Sequence, residues 1–110
     1  PGITLRDLNK LVVDYYTREL PKHGLTKDVS EYYFHGVSHH LGLDTHDVNV
    51  GNAPLVAGNV ITNEPGLYIE DENIGIRIED DLLITGTGAT ILSCDVPKEI
   101  ADIERIAARS

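Results

Sequence analysis

Four of the chain's five histidines fall inside one short stretch, His35-Gly36-Val37-Ser38-His39-His40-Leu41-Gly42-Leu43-Asp44-Thr45-His46-Asp47. Two acids stand downstream in apolar surroundings, Glu64 in Thr62-Asn63-Glu64-Pro65-Gly66 and Glu79 in Ile76-Arg77-Ile78-Glu79-Asp80. One imidazole plus two carboxylates is a donor set that a divalent cation such as Mn²⁺, Co²⁺ or Zn²⁺ accepts. The remaining histidines could then move protons or hold charge beside the cation. Arg77 and Glu79 alternate with Ile76 and Ile78, so in an extended strand the cation and the carboxylate share one face. Taken alone, that pair reads as an ordinary surface ion pair, which is weak.

The elements that would position these groups follow from periodicity. Thr4 to about Glu19 reads as a helix, capped by Thr4 with Asp7 three residues on, and with Leu5, Leu8, Leu11, Val12, Tyr15 and Leu20 on one face. Pro21 and Gly24 stop it, and His23 falls in that stop region as a solvent-exposed group. From Val29 to Val50 the pattern is neither helix nor strand. Gly36 follows the first histidine where a helical zinc-peptidase motif needs Glu, so His35 to Leu41 reads as a loop, followed by a strand near Thr45 to Val50. Val60–Glu64, Leu67–Glu70, Ile74–Ile78, Leu82–Thr85 and Ala89–Ser93 read as short strands, joined by turns at Asp71-Glu72-Asn73 and Gly86-Thr87-Gly88. A last helix is expected from about Pro97 to Ala108, burying Ile100, Ile103, Ile106 and Ala107. The fold class is α+β: a curved antiparallel sheet with flanking helices.

Composition sets limits. The chain has 110 residues and is 41% hydrophobic, which suits one domain or less. With no tryptophan and one phenylalanine, aliphatic side chains must carry the core. A net charge of -9 argues against a nucleic-acid partner, which needs clustered Lys and Arg. No apolar run reaches the length of a membrane span, so no membrane partner is expected. Cys94 is the single cysteine; it is expected to be a small buried apolar group in a reducing compartment, the cytoplasm. The acidic turn at 71–75 fails as an EF-hand, because Ile76 stands at the sixth position and Leu82 at the twelfth.

Three ordered blocks carry a resemblance: His35 to Asp47, Glu64 to Ile69, and Ile74 to Asp81. They resemble H-G-x-S-H-x-L-G-L-x-x-H-D, E-P-G-L-Y-I and G-I-G-I-R-I-E-D-D of the proline-specific pita-bread metallopeptidases, the Xaa-Pro aminopeptidase (aminopeptidase P) type above all. The resemblance implies the C-terminal half of a pita-bread fold. It implies metal-dependent hydrolysis of the bond between an N-terminal residue and proline, with two Mn²⁺ ions as the usual cofactor. His39, Glu64 and Glu79 are then metal ligands. Glu64 also takes a proton from the attacking water, His35 and His46 line the pocket and steady the scissile carbonyl, and Arg77 orients the carboxylates. His40 occupies a variable slot and is expected at the pocket edge; Asp44 and Asp47 are not carried over as ligands.

That family's site uses five protein ligands, two of them aspartates from an upstream strand hairpin. Residues 1–110 are therefore expected to be the C-terminal portion of a catalytic domain without its N-terminal half. Such a chain would bind metal weakly or not at all, hydrolyse no peptide by itself, and associate with copies of itself or with a missing half through exposed sheet. Prolidase is the nearest rival; Ser38, where prolidases usually carry glycine, leans toward aminopeptidase P. Methionine aminopeptidases and creatinases fit the blocks less well. A non-catalytic peptide-binding module of the same fold is the alternative from another class.

Overall fold

The computed structural model describes residues 1–108. Helix α1 spans Leu5–Glu19. It begins in a reciprocal capping box: Thr4 Oγ1 accepts from the Asp7 amide at 3.1 Å, and the Asp7 carboxylate accepts from the Thr4 amide at 3.0 Å. The helix passes into a 3-10 turn at Leu20–His23, and Gly24 closes it in the left-handed conformation, φ 80°. Leu5, Leu8 and Val12 are half-buried, but Leu11 and Tyr15 on the expected apolar face are exposed.

Five short strands follow: β1 Val60–Asn63, β2 Gly66–Ile69, β3 Ile74–Arg77, β4 Asp80–Ile84 and β5 Ala89–Ile91. All pair antiparallel, in two sheets with strand orders β1-β4-β5 and β2-β3. Pro65 lies where the chain leaves the first sheet for the second, since it has no N–H to give a ladder. The connection from β2 to β3 turns through 3-10 residues Glu70–Glu72, with Asn73 left-handed at φ 55°. The core beneath β1 and β4 is small: Leu55, Ile61 and Ile84, with Ile3, Leu5, Leu8 and Leu82 packed against it.

Three expectations are corrected. Residues 45–50 form no strand, and Val48 and Val50 are 90% and 86% exposed. Alternation there has nothing to pair with; instead the Asp47 amide donates back to the His40 carbonyl at 3.0 Å and closes a loop. Helix α2 is shorter than expected, Ile100–Ala107, with Pro97 ahead of it instead of in its first turn. Its expected buried stripe of Ile100, Ile103, Ile106 and Ala107 is exposed instead. Cys94 is exposed, placed in an irregular segment after β5 instead of in the core.

Candidate metal centre

The extended segment 37–41 runs antiparallel along the free edge of β1. Glu64 donates its amide to the Val37 carbonyl at 2.8 Å, Thr62 to His39 at 2.9 Å, and Leu41 to Val60 at 3.0 Å. A bridge between His40 and Ile61 completes the pairing. This places His39 opposite Thr62 and one step from Glu64. Side chains at i and i+2 of a strand share a face, so Thr62 and Glu64 project together toward His39. Asn9 of α1 fixes the segment from the other side: its Oδ1 accepts from the Val37 amide at 3.1 Å and from the Tyr33 hydroxyl at 2.8 Å.

One ligand atom each from His39, Glu64 and Glu79 lie within 4.8 Å of one another, and among the described residues these form the one group of at least three such side chains able to hold a cation. His39 Nδ1 lies 2.9 Å from the His40 carbonyl, which can only accept, so the proton is assigned to Nδ1. That leaves Nε2 as the ligating nitrogen, and it stands 3.2 Å from Glu64 Oε1. Arg77 Nε lies 3.6 Å from Glu64 Oε2 and 4.0 Å from Glu79 Oε2, spanning the two carboxylates. An imidazole with its second nitrogen braced by backbone, plus two convergent carboxylates, fits a divalent cation of the Mn²⁺, Co²⁺ or Zn²⁺ kind.

The cleft beside this group, about 340 Å³, is lined by His35, Gly36, Ser38, His39, His46, Glu64 and Arg77. The His46 ring lies with its centroid 4.3 Å from that of His39, tilted by 60°, and is exposed. His35 is held on both nitrogens: Nδ1 lies 2.9 Å from the Gly36 carbonyl and Nε2 2.8 Å from the Tyr68 hydroxyl. Tyr33 meets the His35 ring edge-on at 4.9 Å. Gly66 is required for this approach, since a Cβ there would lie 2.5 Å from the Tyr68 hydroxyl and 2.7 Å from His35 Nε2. Ser38 Oγ is buried with no hydrogen-bond partner among the described residues. Asp47 takes no part in the cluster; its Oδ1 accepts from the Val48 amide at 3.0 Å. A cavity of about 390 Å³ beside the end of α1 is more apolar, but it gathers no imidazole or paired carboxylates.

Sequence reasoning missed Thr62, Tyr68 and Asn9. Threonine in a strand and tyrosine before a turn are ordinary sheet residues, and only the fold brings them to the histidines.

The sequence profile of metallopeptidase family M24 matches residues 1–86. The chain is 41% identical over 128 residues to the Xaa-Pro aminopeptidase of Haemophilus influenzae, covering 96% of this chain and 30% of that protein. The solved structure of Icp55 from Saccharomyces cerevisiae superposes with a TM-score of 0.86 at 39% identity, over 96% of this chain and 30% of that one. Zn-substituted aminopeptidase P of E. coli, in complex with product, gives a TM-score of 0.78 at 37% identity, over 100% of this chain and 30% of that one. The chain belongs to metallopeptidase family M24, and its fold is part of the pita-bread fold seen in aminopeptidase P. It spans 26% to 30% of the length of curated relatives such as these.

Proposed function

We propose that residues 1–110 are the C-terminal portion of a metallopeptidase catalytic domain whose N-terminal half is not in this chain. In that domain His39, Glu64 and Glu79 hold divalent cations, two Mn²⁺ foremost with Co²⁺ or Zn²⁺ as alternatives. The reaction is hydrolysis of the bond between an N-terminal residue and proline in a peptide substrate. The observation that carries this reading is the convergence of one imidazole and two carboxylates within 4.8 Å, beside a cleft that also holds His35, His46 and Arg77. When bound, such cations polarise the substrate carbonyl and supply a nucleophilic water at neutral pH.

The chain's own groups divide the remaining work. Glu64, 9% exposed and otherwise held by Thr62 and Arg77, takes a proton from the attacking water and passes it to the leaving prolyl nitrogen. His46, exposed above His39, meets the scissile carbonyl from the solvent side. His35 forms the wall braced by Tyr68, and its Nε2 reaches substrate only by exchanging that hydroxyl. Arg77 offsets the mutual repulsion of Glu64 and Glu79. The exposed Cys94 thiol suits a reducing compartment such as the cytoplasm, and no helix among the described residues is long and apolar enough to cross a membrane.

Calorimetric titration of the chain with Mn²⁺ tests the centre. Weak binding is expected, and His39→Ala, Glu64→Gln and Glu79→Gln should each reduce it by at least the ~10–100-fold that loss of a mere outer partner costs. Unchanged affinity in all three variants would overturn the assignment. The chain alone should release no N-terminal residue from an Xaa-Pro peptide at saturating Mn²⁺.

A further inference from the structure

We propose that Thr62 is a positioning residue of the metal centre, tying His39 and Glu64 together through one hydroxyl; the inference rests on the metal-centre reading above. The Thr62 side chain is 1% exposed, so water does not compete for its oxygen. Oγ1 accepts from the His39 amide at 3.0 Å and lies 3.2 Å from Glu64 Oε1. A hydroxyl has a single proton, and a carboxylate oxygen can only accept, so the proton is committed to Glu64.

The ladder explains why the hydroxyl is available to do this. In a hydrogen-bonded antiparallel pair, two facing residues exchange both N–H···O bonds. Thr62 gives its amide to the His39 carbonyl at 2.9 Å, but the return bond from the His39 amide goes to Thr62 Oγ1. One atom thus sets where the backbone of the imidazole lies and where the carboxylate points. The β-branch adds to this, because it restricts χ1 and keeps the oxygen on the Glu64 side. Valine has the same shape without the oxygen, and serine keeps the oxygen with a freer χ1. Outer partners of this kind orient ligands and tune affinity.

The test compares wild type, Thr62→Val and Thr62→Ser in the 110-residue chain, using Mn²⁺ alone for affinity and Co²⁺ alone for its visible absorption bands. T62V should lower Mn²⁺ affinity about 10–100-fold and shift the Co²⁺ bands, while T62S restores most of both. Circular dichroism checks that each variant is folded. Wild-type affinity and an unchanged Co²⁺ spectrum in folded T62V would overturn the proposal. If the wild-type chain takes up neither ion, as a site short of two of its five expected ligands can, metal uptake does not report on Thr62. The positioning role is then decided without metal by hydrogen exchange of the His39 amide. Faster exchange in T62V but not in T62S supports it, and equal exchange in all three overturns it. Should T62V not fold, Thr62→Ala is compared in its place. The wild-type Thr62 hydroxyl proton, expected to be protected from exchange and near the His39 amide, decides the geometry with no variant.

Discussion

The Tyr33 hydroxyl donates to Asn9 Oδ1 at 2.8 Å while its ring rests against the edge of His35. Burial is the main cause that pushes its ionisation up to about 12, and Tyr16 and Glu64 nearby push the same way. The folded chain therefore keeps a proton that the unfolded chain releases near the ordinary value of 10.0. Above that pH the native state binds more protons than the unfolded state, so stability falls as pH rises. Urea denaturation across alkaline pH should show stability intact below about pH 10 and declining from there toward 12. Tyr16 is raised for the same main reason, so Tyr33→Phe should flatten the decline without abolishing it.

Side-chain roles were unevenly legible. Alternation put Arg77 and Glu79 on one face, and they stand 4.0 Å apart. The choice of His39 among four neighbouring histidines came only through resemblance, because spacing alone does not say which imidazole faces Glu64. Thr62 left no trace, since its work depends on a ladder bond diverted to a hydroxyl. Nor did the engagement of His35 on both nitrogens, which needs Tyr68 brought up from strand β2.

Local signals were strongest where a terminus is built from a few adjacent residues. Thr4 and Asp7 were readable as a cap and form one, so α1 starts where the sequence says it should. Thr4→Ala removes the acceptor for the Asp7 amide and should cost about 0.5–2 kcal/mol, read as a lower urea midpoint at unchanged slope. Elements that depend on distant partners were read less well. Residues 45–50 are rich in β-branched residues (Thr45, Val48, Val50), yet a strand needs an edge to pair with, and β1's free edge is already taken by 37–41. The expected single curved sheet divides at Pro65, with antiparallel pairing kept on both sides. That same division turns the chain so that Glu64 directly follows β1 of one sheet while Arg77 ends β3 of the other, 3.6 Å from it.

The molecule as a whole is open for its size. Its radius of gyration is 15.9 Å, against about 13 Å for a compact domain of this length. Its accessible surface is 7714 Å², where the scaling for a folded monomer of this mass gives about 6,000 Å². The excess is apolar in part: Ile74, Ile76 and Ile78 of the β3 strip, Ile91 and Leu92 by β5, and the isoleucine stripe of α2 are all exposed. An excess of about 1,700 Å² on one partner is more than the ~800 Å² that each side of an ordinary stable interface buries. Part of that excess is exposed isoleucine and leucine, and exposed apolar surface favours association. With copies of itself as the available partner, the chain should sediment as a dimer or larger species at micromolar concentration. Replacing Ile100, Ile103 and Ile106 together with Gln should shift it toward monomer, with α2 still formed because glutamine is a good helix residue. A wild-type chain that stays monomeric throughout the concentration range would mean that these isoleucines are tolerated in water, and association through this face would be wrong.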